Sequence, residues 1–132
     1  IRDRSYPSQW EIYVDIEQLA LYRLMQKSDL AFSHGGDTLY ELACIGVPSV
    51  VLCPSTRQEN IARIFSRKGN AISLGLWSRA SFSRFNRAVI SILHNNELRQ
   101  TLSTRGRRLI DGKGVERIAS TLKNAIYDIE KN

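Results

Sequence analysis

The run Ser49-Val50-Val51-Leu52-Cys53 is almost continuously apolar and sits between two segments of helical periodicity. A short run of this kind is what a strand buried on both faces of a parallel sheet requires. Before it, a helix from Thr38 carries Leu39, Leu42 and Ala43 and stops at Gly46, with Pro48 two residues on; this is the expected stop chemistry. After it, residues 57 to 68 place Ile61, Ile64 and Phe65 on one side of a second helix that ends at Gly69. Residues 29 to 33 (DLAFS), stopped by Gly35 and Gly36, and residues 71 to 74 (AISL), ended by Gly75, read as further strands.

The same alternation extends toward both ends. Residues 10 to 16 (WEIYVDI) read as a short strand or an extended lead-in. From 16 to 27, Ile16, Leu19, Ala20, Leu24 and Met25 share a helical face. Beyond Gly75 the pattern turns helical: 81 to 94, 96 to 109, a turn at Asp111 to Gly114, and a last helix from Val115 to about Glu130. Strands alternating with helices, then helices alone, imply an α/β protein. The expected architecture is a Rossmann-like parallel sheet of about four strands, with right-handed crossovers, helices on both faces and a helical C-terminal cap.

Composition narrows the classes. With 132 residues and 42% hydrophobic side chains the chain is one domain's worth of a globular protein, not a disordered or fibrous one. No apolar run approaches the roughly 18 residues needed to span a bilayer. The chain opens Ile-Arg-Asp-Arg, without an initiator Met or a signal-peptide pattern, and is expected to be cut from something longer. Cys44 and Cys53 lie in apolar surroundings with no His or Cys at metal-ligand spacing. They read as buried core thiols, no metal site is expected, and a reducing, cytoplasmic setting is the default.

The formal charge of +6 is unevenly spread. Residues 1 to 56 carry 4 basic and 7 acidic side chains, whereas residues 57 to 117 carry 13 and 4, a net of +9. That excess is either a set of solvated helix faces or a surface for nucleic acid, an anionic membrane or a phosphorylated small molecule.

In open α/β sheets, ligands lie beyond the carboxyl ends of the strands. The loop Ser33-His34-Gly35-Gly36-Asp37-Thr38 occupies such a place. Adjacent glycines let backbone approach a ligand, and the helix start that follows offers free N–H groups and a partial positive charge suited to phosphate. A Gly-Gly tight turn is the structural alternative. The spacing matches neither the dinucleotide fingerprint nor a P-loop, which disfavours NAD and ATP chemistry. Thr38-x-x-Glu41 fits a capping box; the same carboxylate could instead accept from ribose hydroxyls. Gln58 and Asn60, after the next strand, either add first-turn polarity or read sugar hydroxyls. Arg57 pairs with phosphate or stands in solvent.

Four ordered motifs resemble the C-terminal, donor-binding half of GT-B nucleotide-sugar enzymes, most closely the PseG-like UDP-sugar hydrolases and MurG-type (family 28) glycosyltransferases. They are residues 28 to 49, Arg57-Gln58-Glu59-Asn60, residues 70 to 76, and residues 111 to 118; together the resemblance covers roughly 12 to 126. It implies a partial GT-B C-terminal domain acting in glycan biosynthesis, with UDP-sugar as substrate and no further cofactor. Gly35, Gly36 and Thr38 would contact the diphosphate, Glu41 would hold the ribose, and Gln58 and Asn60 would face the sugar, with Ser33 and His34 in the same nucleotide-sugar-binding set. The uracil would be read by backbone before Trp10 or near Ile72 to Leu74. Implied partners are the N-terminal GT-B domain across the cleft and, peripherally, the inner face of the membrane.

Departures from the family pattern fall in the loop. His34 and Asp37 stand where such loops often carry small residues, and an acidic Asp37 beside a diphosphate is unfavourable unless it points away. His34 is a weak catalytic candidate, since in the resembling enzymes the acid/base group comes from the N-terminal domain; His94 reads as surface. Two other classes stand beside this one. The first is a non-catalytic binding or regulatory module. The second is nucleic-acid binding through residues 57 to 117, disfavoured because Trp77, Phe82 and Phe85 read as core or interface anchors and not as a stacking platform.

Overall fold

A computed structural model describes residues 10 to 131. Three strands form one parallel sheet in the order β1-β2-β3: β1 (Ala31–Ser33), β2 (Ser49–Cys53) and β3 (Ala71–Leu76). The helices are α1 (Gln18–Gln26), α2 (Thr38–Ile45), α3 (Thr56–Lys68), α4 (Phe82–His94), α5 (Asn96–Leu109) and α6 (Gly114–Glu130), with a single 3-10 turn at Trp77–Arg79. The α/β class and the helical C-terminal region are as expected. The fourth strand is not formed among the described residues: residues 10 to 16 run without a ladder partner, and Asp15 takes a left-handed φ of 53° that no strand allows.

β2 lies between the other two strands, and its period of two explains its composition. Val51 and Cys53 point to one face and pack with Leu39 and Ala43 of α2 and Ala62 and Phe65 of α3. Val50 points to the other face and packs with Leu74, Ala88 and Ile92 of α4 and Leu102 of α5. Val50, Val51 and Cys53 are fully buried, and burying a side chain of this class stabilises by about 1.5–3 kcal/mol. Both faces of the sheet are therefore covered by helices.

Local chemistry sets the element ends. Gly46 closes α2 at φ 86°, and the N–H of Val47 reaches back to Leu42 O at 2.8 Å, the bonding of a Schellman stop. Ser55 and Ser81 cap α3 and α4 by accepting from the N–H of Gln58 and Arg84. β3 runs two residues past its expected end because Gly75, at φ 78°, absorbs an irregularity: Val51 pairs with Ser73 but Cys53 with Leu76. This extra residue on β3 has the character of a β-bulge.

Several burial expectations are corrected. Leu19 is exposed, because α1 packs on α2 through Met25, Leu21 and Tyr22 instead. Cys44 is only half-buried, while Cys53 is buried as expected. Trp77, on the 3-10 turn, and Phe82, at the start of α4, are 74% and 80% exposed and so are not core residues. No helix among the described residues is long and apolar enough to cross a membrane.

Candidate functional site

The loop of residues 33 to 38 leaves the carboxyl end of β1 and enters α2, as the sequence predicts. It is held against the first turn of α3. A Cβ on Gly35 would stand 2.3 Å from the backbone O of Gln58, so only glycine admits this approach. The Gly35 backbone N–H is engaged by the sulfur of Cys53 beneath it; burial still pushes that thiol up, and the nearby Glu59 adds to the effect. Cys53 itself is fully buried and packs in the core.

His34 is exposed, and its ring lies over Gly36, where an added Cβ would come within 2.6 Å of the imidazole. Ser33 donates its hydroxyl to His34 O at 3.2 Å. Asp37 occupies the N-cap position of α2 with an exposed side chain and makes no capping bond. No side chain caps the start of α2, and the N–H groups of Leu39 and Tyr40 are taken by Gly36 O at 3.1 Å and Asp37 O at 2.9 Å.

This placement overturns the capping box. With Asp37 at the cap, Thr38 is the first helical residue and Glu41 falls one position too late to fold back onto it. Glu41 Oε1 instead accepts from the Tyr22 hydroxyl of α1 at 3.1 Å, and Gln18 Nε2 donates to the same hydroxyl at 2.8 Å. Desolvation, and then the hydrogen bond to the Glu41 carboxylate, push the Tyr22 phenol above its usual value. Glu41 and Tyr22 line a cavity of about 320 Å³ with Gln26, Cys44, Ile45 and Gly112.

Across the loop, Gln58 is half-buried and its Oε1 is buried without a hydrogen-bond partner among the described residues. A buried acceptor left unmatched costs about 1–3 kcal/mol. Asn60 is exposed two residues further along α3. The structure thus brings Gly35, Gly36, His34 and Gln58 together. Glu41 stands apart from them on the α1 side of α2, because its neighbour Tyr40 faces α3 and stacks edge-on against Phe65 at 4.9 Å. Ile72 and Ser73 lie mid-strand in β3, paired with β2; the stretch before Trp10 lies outside the described residues.

Sequence reasoning missed Tyr22 and Gln18, whose only signal is a spacing of four on α1, and it missed Asn70. Asn70 is fully buried and donates to Val47 O at 2.6 Å, tying the start of β3 to the loop before β2. His94 is exposed at the end of α4. Among the described residues no group of three His, Cys, Asp or Glu side chains is placed to hold a metal. Asp111 to Gly114 joins α5 to α6, as expected, with Asp111 paired bidentately to Arg117 at 2.7 and 3.0 Å.

The fold is Rossmann-like α/β, with the glycine loop at the carboxyl end of β1. The chain is 36% identical over 107 residues to the spore coat polysaccharide biosynthesis protein SpsG of Bacillus subtilis (strain 168), a match covering 81% of this chain and 31% of that protein. The chain thus spans about a third of the length of this relative, and it is related to a protein of polysaccharide biosynthesis. No family model matches the chain.

Proposed function

We propose that this chain is the nucleotide-sugar-binding part of a GT-B-like enzyme of glycan biosynthesis, a glycosyltransferase or UDP-sugar hydrolase, and that it takes a UDP-sugar as substrate. The observation that carries the reading is the close seating of the Gly35-Gly36 loop on the first turn of α3, beside the unmatched Oε1 of Gln58. The similarity to a polysaccharide biosynthesis protein supports it.

In this reading the uncapped N-terminus of α2 meets the diphosphate through the backbone at Gly36 and Thr38, with Ser33 and His34 at its edge. Gln58 and Asn60 receive sugar hydroxyls, so the orphaned acceptor of Gln58 gains a donor only when ligand is bound. Glu41, oriented by Tyr22, accepts from the ribose. Asp37, exposed at the cap position, adds a like charge near the diphosphate and weakens binding. The reacting acid or base belongs to a partner domain across the cleft, and the chain alone turns over little or no substrate. A non-catalytic module of the same fold would bind the ligand equally well; finding no Rossmann-like domain upstream in the full-length gene would favour it.

Calorimetric titration of UDP into the chain tests the reading. Glu41→Gln is expected to lower UDP affinity more than about tenfold, a change of some 1.4 kcal/mol, while its melting temperature moves little. Unchanged affinity with a large loss of stability would assign Glu41 to the α1–α2 contact alone.

A further inference from the structure

Between α3, the end of β3, the 3-10 turn and the start of α4, a cavity of about 380 Å³ opens. Four guanidinium groups line it: Arg63 and Arg67 from successive turns of α3, Arg79 from the 3-10 turn, and Arg84 from the first turn of α4. Ser66 and Ser73 add hydroxyls. Glu59 is the one carboxylate in the lining, and it sits 4.0 Å from Arg63, a loose contact. The side chains of Arg67, Arg79 and Arg84 form no ion pair or hydrogen bond with any described residue.

Such an arrangement is unfavourable by itself. Arg63 and Arg67 are four residues apart on one helix, where like charges repel, and two more cations are brought to the same concavity from other elements. An anion of charge two or more attracts each of these cations and offsets their mutual repulsion, and guanidinium is the side chain best matched to phosphate oxygens. An apolar groove of about 400 Å³ adjoins the cavity and shares Leu74 with it. Its rim is formed by Trp77 and Phe82, which are exposed, over Phe32 and Phe85 stacked edge-on at 5.1 Å.

We propose that the cavity at the β3–α4 edge is a binding site for a phosphate or pyrophosphate group, and that an apolar substituent on that group lies along the Trp77–Phe82 groove. The site borders the seat of the glycine loop, since Glu59 in its lining follows Gln58 on α3, but it uses none of the residues assigned to the UDP-sugar and does not depend on that reading. Two sources offer this chemistry, a soluble phosphoanhydride and an anionic phospholipid headgroup, and they separate by experiment.

The 132-residue chain is compared with Arg67→Gln/Arg84→Gln and with Arg105→Gln/Arg108→Gln, which removes the same charge from exposed positions of α5. One arm titrates inorganic pyrophosphate by calorimetry in the presence of excess UDP. The other sediments the protein with phosphatidylcholine vesicles, with and without phosphatidylglycerol. The chain is expected to bind one of the two anionic probes. The Arg67/Arg84 variant loses about tenfold or more in affinity, and the Arg105/Arg108 variant stays within about twofold. Pyrophosphate binding assigns a soluble ligand. Binding only to the anionic vesicles, weakened further by Trp77→Ala/Phe82→Ala, assigns a lipid headgroup. Melting curves confirm that each variant is folded, as expected for exposed side chains. Binding to neither probe, equal losses in the two arginine pairs, or pyrophosphate binding that UDP abolishes would overturn the proposal.

Discussion

Gly106 lies inside α5, where glycine costs about 1 kcal/mol relative to alanine, yet a Cβ there would stand 2.9 Å from both the Ala43 backbone O and the Asn70 Cβ. Close approach of α5 to α2 outweighs helix propensity at this position. Gly106→Ala is expected to lower the melting temperature, with an overpacking cost of about 1–3 kcal/mol; a rise would mean that α5 has room to shift. The same logic, backbone meeting backbone, holds Gly35 against Gln58. Residue-scale chemistry of this local kind was legible in the sequence at Gly46, whose left-handed stop depends only on its neighbours. The Glu41–Tyr22 bond was not legible. It joins residues 19 apart in sequence and exists only because α1 packs on α2.

At the scale of elements, the connection between α5 and α6 is held by charge. Arg117 and the N–H of Lys113 both donate to the Asp111 carboxylate and hold it down to about 2 from an ordinary value of 3.8. A folded-state value below the unfolded one means that the stabilisation is fully present above about pH 4 and is lost as pH falls through about 2. Asp111→Asn is therefore expected to melt below the parent chain at neutral pH. The gap closes between about pH 4 and pH 2, followed by circular dichroism. A gap that persists unchanged at the lowest pH would contradict the assignment. Helix and strand positions were legible from period and caps, whereas strand count was not: residues 10 to 16 have strand-like composition but no neighbour to pair with among the described residues. α6 shows the limit of periodicity as well. Val115, Ile118, Leu122 and Ile129 form a helical stripe, yet all are exposed, because amphipathicity predicts a face to bury and not a surface to bury it on.

For the whole molecule, the apolar run of β2 foretold a strand covered by helices on both faces, and that arrangement brings the glycine loop and the start of α3 to the same end of the sheet. The basic excess of residues 57 to 117 was visible in the sequence, but its convergence was not. Four of those arginines come from three elements and meet only once α3, the 3-10 turn and α4 are folded together around the end of β3. The central claim is that the loop of residues 33 to 38 and the first turn of α3 hold a UDP-sugar. Its most direct test is titration of UDP into the isotopically labelled chain, followed by amide chemical shifts. The account predicts saturable shifts concentrated at Ser33 to Thr38 and Gln58 to Asn60, together with the side-chain amide of Gln58. A folded chain whose amides in those two segments stay unmoved at millimolar UDP would contradict it.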